Sequence, residues 1–364
     1  MSDDRHISGT TGGDAAHLLL GGARRRAVAA EDIFLPEALR LGEWLRGTVR
    51  ALLGKYVRAV EAELRAALAD DPVIAAHDAL HASLSSAHVQ IVLPLLERSN
   101  ALRDHDLIAA LVRRAEEHRF QKSRPAPADR SLLSRLIGGD DPALADQAMA
   151  LLVAQSRRFD RFQEPVLART ELPADLQHRL AWTIAAALRV YMVERHGLAA
   201  AAADQALAAA VSRLLAAYDE GDTLEARCAR LARSLDDAGH LDDALVGGAV
   251  EDGNLPLFVA LLAARSGLSG TSVWEIAMEA EGRGAALLLR AADIGRDTAA
   301  AILVALSFGG TGISSPGEVA LEAQLDLFDV TDAETARGML ALWRVDPAYR
   351  AAVARLMLSP GGAA

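Results

Sequence analysis

Histidines stand at positions 77 and 81 in the run His77-Asp78-Ala79-Leu80-His81. Two imidazoles four residues apart share one helical face and could hold Zn²⁺ in a hydrolase. The intervening acid, however, is Asp78, shorter than the glutamate base such enzymes use. His88 is close in sequence, yet nothing in the pattern places a third ligand. A metal-dependent hydrolase using His77 and His81 is therefore one expectation. A surface or packing role for the pair stands against it.

Two further clusters mix acids with histidine: Asp104-His105-Asp106 and Glu116-Glu117-His118. In the first, Asp104 reads as a helix cap, with Asp106 in the first turn, where the helix dipole favours negative charge. In the second, a solvated helix face is the simpler reading. If both clusters serve one site, it lies across the groove of a helical hairpin. Asp104, Asp106, Glu117, His118 and Arg119 are then the candidate interaction surface.

Other motifs fall short of chemistry. Gly309-Gly310-Thr311-Gly312 could cradle a phosphate at a helix start, but no strand precedes it and no lysine follows. Serines are plentiful, but none sits in a G-x-S-x-G elbow. Cys228, between Leu224 and Leu231, reads as a small buried hydrophobe. Trp44, Trp182, Trp274 and Trp343 are spread along the chain and read as core anchors. No catalytic residue and no cofactor-binding residue is assigned, and no cofactor is expected.

The elements that would carry these residues read as helices throughout. Val89, Val92, Leu93 and Leu96 recur at helical spacing, as do Leu107, Ile108, Leu111 and Val112. Ser99 and Asn100 end the first run, and Asp104 starts the second. Before them, 36–69 keeps a helical period as one long helix or two, since Gly47 and Gly54 weaken it. Asp70-Asp71-Pro72 and Asp140-Asp141-Pro142 each place an acid before proline at a helix start. Residues 121–129, with Pro125 and Pro127, are the best candidate linker, and a loop inside one domain fits them equally well.

The joints resemble one another. Leu96 to Ser99 with Leu102, Leu167 to Thr170 with Leu172, and Leu262 to Ser266 with Leu268 each read as a helix end, a hydroxyl at the bend and a leucine packing across it. Such self-similarity predicts an all-α chain, an irregular α-solenoid of stacked hairpins of HEAT-like type. The parts read as a tail over 1–30, helical repeats over 31–124 and 125–307, and helices with a loose end over 308–364.

Composition narrows the function. The chain has 364 residues, 51% of them hydrophobic, and a net charge of −11. That charge argues against a broad nucleic-acid surface, which needs clustered cations. A single cysteine forbids an internal disulfide and fits a reducing cytoplasm. No apolar run approaches the ~20 residues that span a bilayer, so membrane insertion is not expected.

Several segments resemble the bacterial family DUF2336, whose function is unknown. They are LRGTVRALLGKYVRAVEAELR, VLPLLERSNALRDHDLIAALVRRAEEHR, VLARTELPADLQHRLAWTIAAALR and the run from LFVALLAARSG to DTAAAIL. Together they cover about 35–306. The most specific part joins Leu96, Ser99, Leu102, Asp104, Asp106, Leu107 and Ile108 to Glu117, His118 and Arg119. The resemblance implies a helical, HEAT-like fold and brings no catalytic residue. The chain departs from the pattern after Arg119, where Pro125 and Pro127 replace a longer helical run.

The leading functional expectation is a non-enzymatic scaffold or adaptor that binds an unknown protein partner. The alternatives are a small-ligand sensor for a nucleotide or lipid, and the hydrolase named above. The 36–69 helix could also pair two copies into a homodimer.

Overall fold

The computed structural model describes residues 42–124, 131–167, 171–279, 282–308, 318–346, 349–350 and 352–353. Among these the chain is all-helical, and the only β-type pairing is an isolated bridge between Phe159 and Pro165. The proposed N-terminal tail, the two linker prolines and the Gly309–Gly312 run lie outside the described residues.

The first helices are α1 (Glu43–Ala69), α2 (Pro72–Ala75), α3 (Asp78–Ser85), α4 (Val92–Ser99) and α5 (His105–Ser123). They are followed by α6 (Leu132–Ile137), α7 (Pro142–Ser156), α8 (Ala174–Val190) and α9 (Ala200–Ala216). A π-helical turn, Tyr191–Arg195, ends α8. The remaining helices are α10 (Leu224–Asp237), α11 (Asp243–Glu251), α12 (Leu255–Ser266), α13 (Gly270–Ala277), α14 (Arg283–Ala291), α15 (Arg296–Phe308), α16 (Glu318–Val330) and α17 (Ala333–Met339).

Local chemistry sets many of these boundaries. Asp71, Asp104 and Asp141 each accept two backbone N–H bonds at a helix start, with proline first in α2 and α7. Asn100 closes α4 in the left-handed conformation, where a short polar side chain is tolerated. α1 is a single helix despite Gly47 and Gly54, because Leu45, Val49, Leu52, Val57, Val60 and Leu64 bury one continuous stripe.

Two expectations change. α5 continues through Gln121 and Lys122, which the composition assigned to a break. Leu167 is not at a helix end: α7 stops at Ser156, and none of the described residues from 158 to 167 or from 171 to 173 is helical. Asp160 holds that stretch in a turn by accepting the N–H groups of Phe162 and Glu164, with Gln163 at positive φ.

The apolar side chains form two cores. One joins α1–α4, the first half of α5 (Leu107, Leu111, Ala115), α8 and α9. The other joins Phe120 at the end of α5 to α6, α7 and α10–α17. The chain therefore passes between the cores three times: within α5, between α7 and α8, and between α9 and α10. No single described helix is long and apolar enough to cross a membrane.

Candidate functional site

Charged side chains, most of them buried and Arg113 and Glu225 partly exposed, gather where the chain changes core. α5 contributes Arg113, Arg114 and Glu117; the passage after α7 contributes Arg158 and Glu171; the start of α10 contributes Glu225. Arg158 Nη1 donates to Glu117 Oε2 at 2.8 Å, and its Nε lies 2.9 Å from Glu171 Oε2. Its Nη2 is 3.6 Å from Glu225 Oε1. Arg113 Nε donates to the second oxygen of Glu117 at 3.0 Å and stacks on Trp274. Burial opposes both charges, yet the three carboxylates hold the Arg158 pKa above its usual value, and Arg158, Arg113 and Arg114 hold Glu117 below its own. For Glu171 burial prevails, and its pKa is raised.

Arg114 feels Glu117, Glu171 and Glu225 only at longer range. It is 2% exposed, its Nη2 donates to the Arg158 carbonyl at 2.7 Å, and its guanidinium lies over the Phe159 ring. Its Nε–H has no hydrogen-bond partner, and no carboxylate pairs with it among the described residues. Burial and the nearby Arg158 lower its pKa to about 10. His118, one helical turn on, is 1% exposed and tilts against the same ring. Burial, with Lys122 and Arg114, pushes it down to about 4, so it is neutral at pH 7. Beside them lies a cavity of about 240 Å³. Its walls include Arg114, Glu117 and Gln121 of α5, Leu152 and Gln155 of α7, and Asp252 to Asn254 before α12.

The five residues of the candidate surface do not meet in one groove. Asp104 and Asp106 lie at the start of α5, where Arg179 of α8 bridges them at 3.2 and 3.1 Å. The N–H groups that Asp104 caps, Leu107 first, hold its carboxyl below the usual range. Glu117 and His118 are buried between the cores, and Arg119 lies over Trp44. Trp44 and Trp182 are surface residues rather than core anchors.

His77 precedes α3, and its Nε2 lies 3.1 Å from the His196 carbonyl. Among the described residues, no three His, Cys, Asp or Glu side chains are grouped to hold a metal ion. Cys228 is fully buried, and burial raises its pKa well above the usual thiol value.

Sequence reasoning missed Arg114, Arg158, Glu171 and Glu225. One signal existed: the stripe through Leu107, Leu111 and Ala115 calls for apolar residues at 114 and 118, where arginine and histidine stand instead. Arg158 and Glu171 lie outside any helix, so no periodicity marks them.

The model of the bacterial family DUF2336, described as an uncharacterised protein conserved in bacteria, matches residues 126–341, more than half of the chain. This protein belongs to DUF2336. The match begins after α5 and continues beyond residue 306, so the 96–119 pattern lies before the matched part. Arg158, Glu171, Glu225 and Asp252 fall within it, whereas Arg114 and Glu117 do not. Neither a curated protein nor a solved structure matches the chain.

Proposed function

We propose that this DUF2336 protein is a non-enzymatic adaptor that docks an amphipathic helix of another protein on α7. One observation carries the reading: α7 is apolar on both sides. Leu144, Ala148, Leu151 and Ala154 face the core, while Met149, Leu152 and Val153 are exposed. A helix apolar all round is ordinarily enclosed, and an uncovered apolar face marks an interaction surface. Phe162, 68% exposed, follows in the next turn.

Charge selects the occupant. Asp140, Asp141 and Asp146 are exposed at the start of α7, and Arg157 and Arg161 beyond its end. A helix running antiparallel, with basic residues toward those aspartates and acidic residues toward those arginines, fits both the charges and the helix dipoles. Methionine suits such a face because it repacks against varied side chains. Packing of successive helices from α11 to α16 supports a stack of hairpins as the frame.

The test compares wild type with a Met149→Glu/Val153→Glu double variant, both sites being exposed. An identified partner should bind wild type saturably through a peptide of its amphipathic helix and lose at least ~10-fold in affinity on the variant, about 1.4 kcal/mol. Equal capture by both proteins overturns the reading. So does a wild-type dimer that the double variant dissolves, since a second copy would then cover α7.

A further inference from the structure

We infer that the cavity between α5, α7 and the start of α12 binds a small organic monocarboxylate through the Nε–H of Arg114. The cavity borders the docking face at Leu152, but its anion-binding group is on α5, so the proposal does not rest on that face.

Arg158 has three carboxylates around it and Arg113 has two. Arg114, more enclosed than Arg113, feels the same carboxylates only at longer range and forms no ion pair with any of them; its contacts are a carbonyl and an aromatic face. A buried cation of this kind is costly unless an anion joins it. The unpartnered donor belongs to a residue that lines the cavity. Nearby, the Asn254 oxygen already accepts from the Leu257 N–H, which leaves its amide N–H₂ as the donor group.

Two features restrict the ligand. Glu117 and Asp252 share the walls, so a dianion would set its second charge against theirs. One carboxylate matches the single donor that Arg114 leaves without a partner. Leu133, Leu152 and Phe159 supply apolar wall for a carbon skeleton. With each water taking roughly 30 Å³, the space suits on the order of ten non-hydrogen atoms.

Thermal shift and isothermal titration on the full chain test this with butyrate, benzoate and a 2-oxo acid. The comparison arms are the corresponding neutral amides and inorganic phosphate. At least one carboxylate should saturate wild type and raise Tm on the order of 3–5 °C at 100-fold Kd. Its amide should bind at least ~10-fold more weakly. Arg114→Met, which removes the guanidinium, and Gln155→Trp, which fills the cavity and keeps it, should each abolish the shift. If Arg114→Met does not fold, Gln155→Trp and the amide arm decide. Saturation by no carboxylate up to about 10 mM, equal binding of the amide, tighter binding of phosphate, or retained binding in a folded variant overturns the proposal.

Discussion

Glu117 and Arg158 are 41 residues apart in sequence, yet their side chains meet at 2.8 Å with almost no access to solvent. One belongs to α5 and the other to the passage after α7, so the pair joins two of the three places where the chain changes core. Removing one partner leaves the other charge buried with fewer partners, Glu171 and Glu225 for Arg158 and Arg113 for Glu117, so the cost approaches the roughly 3–5 kcal/mol of a broken buried pair as an upper value. Glu117→Gln and Arg158→Met should each destabilise on that scale in chemical denaturation. The double variant should cost less than the sum, because the contact between these two is lost only once, although Glu171 still loses Arg158 and Arg113 still loses Glu117. The lowered pKa of Glu117 fixes the sign with pH: its stabilisation is present above the unfolded carboxylate value near 4.5 and is lost as pH falls through the folded value.

Glu116 and His118 act oppositely over one pH window. Burial, with Glu117 beside it, raises Glu116 to about 7. Its folded state binds the extra proton between about 4.5 and 7, so this group lowers stability as pH rises through that range. His118 is lowered from 6.5 to about 4, so its contribution is lost as pH falls through that range. The two partly cancel in wild type. Glu116→Gln should therefore stabilise the protein at pH 8 and expose a steeper loss below pH 6.5. Denaturation midpoints from pH 4 to 8 check both signs, and a Glu116→Gln profile parallel to wild type would refute the assignment.

These residues also show what a sequence discloses. Asp71, Asp104 and Asp141 were readable as caps because a cap is satisfied within three residues of itself. The α1 stripe was readable because burial repeats with the helical turn. Arg158 and Glu171 were not, since their partners come from α5 and α10 and their own segment has no period. The joint at Leu167 and Leu172 differs for the same reason: both are buried in the first core, by packing against distant helices rather than at the end of a helix of their own. Asp104 and Glu117 share a helix, yet their partners, Arg179 and Arg158, send them to different neighbourhoods.

Arg65 of α1 holds the loop before α4. It donates to the carbonyls of Ser83, Leu84 and Val89 at 2.8–2.9 Å and to that of Ser86, and Glu61 beside it accepts from the Ile91 N–H. Arg65→Met keeps much of the packing but leaves several carbonyls without a donor. Each buried group left unpaired costs about 1–3 kcal/mol, less where water can enter. The variant should lose hydrogen-exchange protection over 83–91 first, with the centre of α1 less affected. Uniform loss along the chain would mean that Arg65 serves the whole core rather than the loop.

Two glycines should respond to the same substitution with opposite signs. Gly47 lies exposed inside α1, and a Cβ there would meet nothing within 4 Å. Gly47→Ala should stabilise by roughly 0.5–1 kcal/mol, because glycine has more backbone freedom to lose on folding. Gly284, near the start of α14, lies against the end of α13, where a Cβ would fall 2.3 Å from the Ile276 carbonyl oxygen and 3.2 Å from its carbonyl carbon. Backbone cannot rotate away as a side-chain tip can, so Gly284→Ala must push the two helices apart. Such overpacking costs about 1–3 kcal/mol. Paired thermal melts decide it: a Gly284→Ala protein as stable as wild type would mean that α14 does not approach α13 this closely.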